Sequence, residues 1–134
     1  MKLSSKSITA IKMFIDLGEH YEEGFVSLMD IAKRKELSKK FLEQIVPLFK
    51  NNNLLICNRG NQGGYKLAKN PNQITLKDIV YLTENNLNET NNNEGSIDAV
   101  LNEVDNLLDK YFASVSLTKL IELEKESYLN NYSI

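Results

Sequence analysis

Few residues in this 134-residue chain have types that do chemistry, and they cluster. The stretch Cys57-Asn-Arg-Gly-Asn-Gln-Gly-Gly-Tyr-Lys-Leu67 holds the only cysteine, one of two arginines and three of the six glycines. A glycine cluster can cradle phosphate, but a Walker-type loop needs a Lys-Ser/Thr pair that opens a helix. Here the glycines lead into Tyr65-Lys-Leu67, which reads as a strand. The single histidine, His20, lies in the acidic stretch Gly-Glu-His-Tyr-Glu-Glu-Gly and reads as a surface residue. No nucleophile–base pair or paired-carboxylate constellation is legible, so the chain does not read as an enzyme. One cysteine makes no internal disulfide and supplies no structural zinc site.

A second group of residues suits anion binding. Ser38-Lys39-Lys40-Phe41 stands at the start of an apolar-periodic segment, with Gln44 one turn on. A serine and two lysines at a helix N-terminus suit phosphate, and the free backbone N–H groups add to the attraction. Gln44 projects from the same side as Lys40, and a glutamine can pair bidentately with adenine. Arg59 at a hairpin tip could enter a minor groove, where the potential is most negative when the groove is narrow. Gly60, Gly63 and Gly64 would permit positive φ and close backbone approach. The plain alternatives are a solvated polar helix face and glycines that only make the turn.

The elements around these residues follow from periodicity. Residues 4–18 form an expected helix with Ile8, Ile11, Phe14, Ile15 and Gly18 on one face, and Gly18 is the expected stop. A short extended piece, Phe25-Val26, follows. Ser27-Leu-Met-Asp30 matches a capping box for a second helix that ends near Lys35. Ser38 is the N-cap of a third helix running to the asparagines at 51–53, with Leu37 and Leu42 at hydrophobic-staple spacing. Pro47 predicts a kink or an altered last turn there. Strands at 54–57 and 64–67 flank the glycine-rich loop as a hairpin. Thr75-Leu-Lys-Asp78 opens another helix with a capping box. Residues 84–96 lack periodicity and read as a loop. In the next segment Ile97, Leu101, Val104, Leu108, Tyr111 and Val115 step 4-3-4-3-4, a heptad seam reinforced by Val100, Leu107 and Phe112, and such a helix needs a partner. A last helix starts at Ser116.

Helix, short strand, two helices joined by a tight turn, then a hairpin is the order of a winged helix-turn-helix. The expected fold is mainly α with a small β-hairpin: a winged helix-turn-helix DNA-binding domain over 1–83, a loop over 84–96 and a helical dimerisation region over 97–134. In that geometry the third helix presents its N-terminal residues to the major groove.

Charge agrees. The net charge of −2 divides into 13 basic and 7 acidic residues over 1–77, and 3 basic and 11 acidic over 78–134. A basic half beside an acidic half points to one part that meets an anion. The N-terminus lacks a signal-peptide pattern, and no apolar stretch approaches the ~20 residues that span a bilayer. The expectation is a cytoplasmic protein with no membrane contact.

Three stretches carry a resemblance: "MKLSSKSITAIKMFIDL", "SLMDIAKRKELSKKFLEQIVPLFKNNNLL" and "NRGNQGGYKLAKNPNQITLKDIV". Together they resemble the Rrf-two family of bacterial transcription regulators, closely over 1–83 and in outline beyond. The resemblance implies a homodimeric repressor that reads palindromic double-stranded DNA. It implies contacts from Ser38, Lys40, Phe41 and Gln44 on the recognition helix and from Arg59 and Gly60 in the wing, with Ser5 and Lys6 at phosphates. Many members carry Gly-Arg-Tyr after the N-terminal lysine, where this chain has Ser7-Ile8-Thr9, so one basic contact is expected to be lost. Cluster-binding members carry three cysteines in the loop that corresponds to 84–96, and this chain has none there. A [2Fe–2S] cluster takes about four protein ligands, usually thiolates, so no cofactor is expected.

The chain therefore looks closest to the cluster-free, cysteine-metabolism repressor (CymR-like) type. That likeness implies control of cysteine or sulfur metabolism and a cysteine synthase as partner, with Ile134 and its carboxylate as a candidate hook. Cys57 is a candidate redox sensor, and a small hydrophobe at the end of an apolar strand is the competing role. A winged-helix protein-interaction module acting through such a partner is the alternative function.

Overall fold

Short polar side chains open most of the helices. The hydroxyl oxygens of Ser4, Ser27, Ser38, Thr75 and Ser116 accept the backbone N–H of Ser7, Asp30, Phe41, Asp78 and Lys119, at 3.1–3.2 Å. Each such cap contributes about 1 kcal/mol. They start α1 (Ser5–Glu19), α2 (Leu28–Lys35), α3 (Lys39–Asn51), α4 (Leu76–Thr83) and α6 (Leu117–Tyr132), while α5 (Ser96–Ser114) follows Gly95. The strands are β1 (Leu55–Asn58) and β2 (Gly64–Leu67), and 3-10 turns occupy Tyr21–Glu23 and Pro71–Gln73. This computed structural model describes residues 2–61, 63–85, 87 and 95–132. Most of the 84–96 segment, and Ile134, lie outside the described residues.

β1 and β2 pair antiparallel, with Leu55 opposite Leu67 and Cys57 opposite Tyr65. Val26 adds a single-residue third strand: its N–H donates to Tyr65 O (2.9 Å), and Tyr65 N–H donates back (2.8 Å). A β-carbon on Gly64 would collide with the carbonyl of Val26, so this bridge requires glycine there. The hairpin is thereby fastened to the chain that enters α2.

The core lies where α1, α2 and α3 meet the hairpin. Phe14 and Phe49 pack edge to face, centroids 4.8 Å apart, and Met13, Ile31, Leu42, Ile45 and Leu67 close around them. Among the described residues, the buried polar side chains are Ser7, Thr9, Thr83 and one carboxylate. Asp16 on α1 is fully buried, and Arg34 on α2 grips both its oxygens, Nε to Oδ1 and Nη2 to Oδ2, each at 2.8 Å. The bond to Asp16 raises the Arg34 pKa further, against the opposing effect of partial burial. Lys35 then bridges Glu19 (2.8 Å) and Glu124 (3.4 Å), tying α2 to α1 and α6.

Several expectations change. Gly18 does not end α1, which runs to Glu19 with His20 as its cap. A β-carbon at Gly18 would stand 2.6 Å from Ile121 Cδ1, so the glycine lets α6 lie against α1. His20 is half-buried, and its Nδ1 donates to Asp16 O at 2.8 Å. α3 continues through Pro47, and the unusual geometry falls just beyond it, where Asn53 takes a left-handed φ of 61°. β1 begins one residue later than expected, because Leu54 N–H is spent on Phe49 O (2.9 Å).

Besides the contacts of α6 with α1 and α2, the helical region after residue 96 is fastened to α4 at two places. Leu76 N–H donates to Val115 O (2.8 Å) and Leu117 N–H to Ile74 O (2.7 Å), stitching the α5–α6 elbow to the entry of α4. α5 also leans on α4 through the Lys77–Asp109 pair (2.8 Å) and the Tyr81–Phe112 edge contact. Among the described residues no helix is long and apolar enough to cross a membrane.

Two outcomes follow from these joints. Arg34→Ala leaves the buried Asp16 carboxylate without its charged partner and should cost about 2–3 kcal/mol, read as a lower urea midpoint. Gly64→Ala should break the Val26–Tyr65 bridge, so that hydrogen exchange at both amides speeds up while the amides of α1 stay protected.

Candidate nucleic-acid interface

Three segments present the residues that suit an anion. The first is the start of α3. Ser38 uses its hydroxyl oxygen to cap the helix, which leaves its proton free to donate outward. Lys39, Lys40 and Gln44 are exposed, whereas Phe41 is half-buried against the core and anchors the turn. Lys39 pairs with Glu43 one turn on (3.6 Å), so its charge is partly answered. Lys40 has no ion pair among the described residues, and it shares an exposed face with Gln44 at i, i+4 spacing.

The approach to α3 is set by α2 and the turn between them. Glu36 closes α2 in the left-handed conformation (φ 54°), and Leu37 N–H reaches Ala32 O at 2.9 Å. Leu37 packs on the core beside the fully buried Leu42, so the turn is held by apolar contact on both sides of the cap. The Asp16–Arg34 pair fixes the last turn of α2 to α1, and hence fixes where α3 begins.

The second segment is the wing. Arg59 is exposed between the strands, and Gly60 turns the chain with φ 122°. Gly63 N–H donates to Gly60 O (2.9 Å), which closes the tip. Burial raises the Tyr65 pKa, helped by the neighbouring Cys57 and Glu43 and opposed by Arg59. Cys57 is half-buried opposite Tyr65.

The third segment is the start of α1, where Ser5 is exposed and Lys6 half-buried. Ser7, where a basic contact was expected to be lost, is fully buried and bonds Thr83 and Glu84 across to α4. Sequence reasoning missed Asp16, Arg34, Tyr65 and Glu84. An aspartate inside an apolar stretch was the one available signal.

On α5 the expected seam is an exposed apolar stripe. Ile97 is 76% exposed, Leu101 and Val104 45% each and Tyr111 65%, with Val100 and Leu107 beside them and Leu108 half-buried. Phe112 and Val115 turn inward instead. Val115 lies past the end of the helix in extended backbone that bonds to Leu76, so the heptad register stops at Ser114.

A profile of the Rrf2 family, described as an iron-dependent transcriptional regulator, matches residues 3–123. The HTH-type transcriptional regulator IscR of Pectobacterium atrosepticum is 34% identical over 90 residues, covering 67% of this chain and 55% of that one. The HTH-type transcriptional regulator CymR of Bacillus subtilis is 38% identical over 84 residues, covering 63% of this chain and 61% of that one. The chain thus spans little more than half the length of these curated relatives. Among solved structures, CymR of B. subtilis superposes with a TM-score of 0.81 at 28% identity, covering 92% of this chain and 98% of that one. IscR of T. potens superposes at 0.80 with 31% identity, covering 95% and 90%.

The donors present do not suit a thiolate-held iron site. The sequence has one cysteine, in β1 of the wing, and one histidine, which is tied to Asp16 O. The described residues contain no group of three or more His, Cys, Asp or Glu placed to hold a metal ion. With the family profile running through most of the chain, and two solved relatives sharing its fold, the chain belongs to the Rrf2 family of transcriptional regulators, a family of winged-helix regulators and not of enzymes.

Proposed function

We propose that this chain binds double-stranded DNA as a homodimer and represses transcription from a palindromic operator, without an iron–sulfur cluster. The observation that carries the reading is the start of α3. A capped helix N-terminus offers Lys40 and Gln44 to solvent, and the wing that follows in sequence exposes Arg59, both in the basic half of the chain. Lys40 and the free N–H groups suit phosphate, and Gln44 suits an adenine edge. Ser38, Lys39 and Phe41 support the same helix end, and Ser5, Lys6, Arg59 and Gly60 would flank it.

Two copies are needed because one recognition helix reads only a half-site. The exposed stripe of Ile97, Leu101, Val104 and Tyr111 on α5 is a surface a second copy of the stripe would cover. A two-fold pair of helices places the half-sites about one helical turn apart, ~34 Å. Control of cysteine or sulfur metabolism, or of a redox response, is the regulatory theme we assign. It is supported by the likeness to a protein described as the global cysteine regulator of B. subtilis.

Titration of a 30-base-pair duplex against sodium chloride tests the reading. Log affinity should fall linearly with log salt, by about 0.9 per phosphate contacted. A flat response would favour a protein-interaction module that works through a partner such as a cysteine synthase. Lys40→Ala should weaken all sequences alike, whereas Gln44→Ala should relax selectivity at one base position by about 1–3 kcal/mol in a randomised half-site selection.

Sedimentation equilibrium should give a dimer for the natural chain and a monomer for the double variant Leu101→Asp, Val104→Asp. That monomer should bind a palindrome on the order of 100-fold more weakly, because the two half-sites no longer act as a linked pair.

A further inference from the structure

The start of α1 has no acidic residue of its own in its first turn, yet a carboxylate sits there. Glu84, the residue that ends α4, reaches across 80 positions of sequence. Its Oε1 accepts the backbone N–H of Ser4 at 2.7 Å and the hydroxyl of Ser7 at 2.5 Å. Ser7 is fully buried and Thr83 nearly so, their hydroxyls 2.6 Å apart. An ionised carboxylate only accepts, so the single Ser7 proton must go to Glu84. Ser7 Oγ then accepts from Thr83, and Ser4 Oγ stands 3.3 Å behind it. The bond from Ser7, followed by that from Ser4, holds the Glu84 carboxyl below its ordinary range. Its negative charge also meets the positive end of the α1 dipole.

Ser5 and Lys6 lie between the two residues that Glu84 holds. From that placement we propose that Glu84 is a positioning residue for DNA binding: it clasps the first turn of α1 so that Ser5 and Lys6 stay directed at the phosphate backbone. The inference rests on the DNA-binding reading above. The clasp joins the last residues of α4 to the first turn of α1, so any rearrangement where α4 ends would reach the DNA-facing serine and lysine directly.

Electrostatics alone makes the opposite prediction, which gives the test its edge. Removing a carboxylate near DNA should tighten binding, whereas removing a positioning contact should loosen it. The full-length chain and its Glu84→Ala and Glu84→Gln variants are titrated with a 30-base-pair mixed-sequence duplex at several salt concentrations. Thermal unfolding is followed in parallel. Glu84→Ala should bind about fivefold or more weakly, with a salt slope reduced by about one phosphate per protomer. Glu84→Gln keeps an acceptor for Ser4 and Ser7 and should keep the natural slope. Lys6→Gln should cost less in the Glu84→Ala background than in the natural chain, since both changes act on one contact. Equal or tighter binding by Glu84→Ala with an unchanged slope would overturn the inference, as would fully additive losses with Lys6→Gln. If the natural chain shows no salt-dependent binding, the DNA-binding reading falls and this inference with it.

Discussion

One buried carboxylate constrains everything that faces outward. Asp16 has no water to turn to, so its stability depends on the two-pronged grip of Arg34 and on the fixed position of α2 that the grip demands. α2 leads through the left-handed Glu36 into the capped start of α3, and there is little slack between them. Apolar packing alone would tolerate small rotations of α2 on α1. A bidentate pair with both bonds at 2.8 Å does not, because an angular error leaves a charge unpaired in a low-dielectric interior. The presentation of Lys40 and Gln44 is in that sense a consequence of an interaction on the other side of the helix pair.

The wing is held by a different device. Val26 adds one residue of strand to β2, and Gly64 makes room for it. The hairpin therefore rides on the segment that enters α2. The start of α3 and the wing are both pinned to the same short stretch, 26–36. The acidic half of the chain lies mostly on α5 and α6, and Lys77–Asp109 joins it to α4. The charge split thus separates a basic unit, which we propose meets DNA, from an acidic pair of helices, of which α5 carries the stripe we propose a second copy covers.

Much of this was legible because it is local. Capping residues act over three positions, so Ser27, Ser38 and Thr75 could be read from their neighbours, and the structure makes each cap. Period-3.6 burial identified α1, α3 and α4, and the glycine-rich turn between short apolar runs marked the hairpin. What stayed hidden is non-local. Asp16 and Arg34 are 18 residues apart, and Ser7 and Glu84 are 77 apart. Gly18 looked like a stop because its role, admitting Ile121, depends on a helix a hundred residues later. Val115 fitted the heptad count but lies where a backbone bond to Leu76 has already ended the helix. Periodicity cannot register either effect.

We propose that the start of α3, the wing and the start of α1 meet DNA while α5 meets a second copy. Hydrogen–deuterium exchange of the chain, with and without a saturating 30-base-pair duplex at low salt, separates these surfaces. New protection is expected at 38–44, at 58–60 and at 4–7, with α5 already protected by its partner before DNA is added. Protection that appears on α6 and leaves the α3 start and the wing unchanged would place the DNA elsewhere and overturn this assignment.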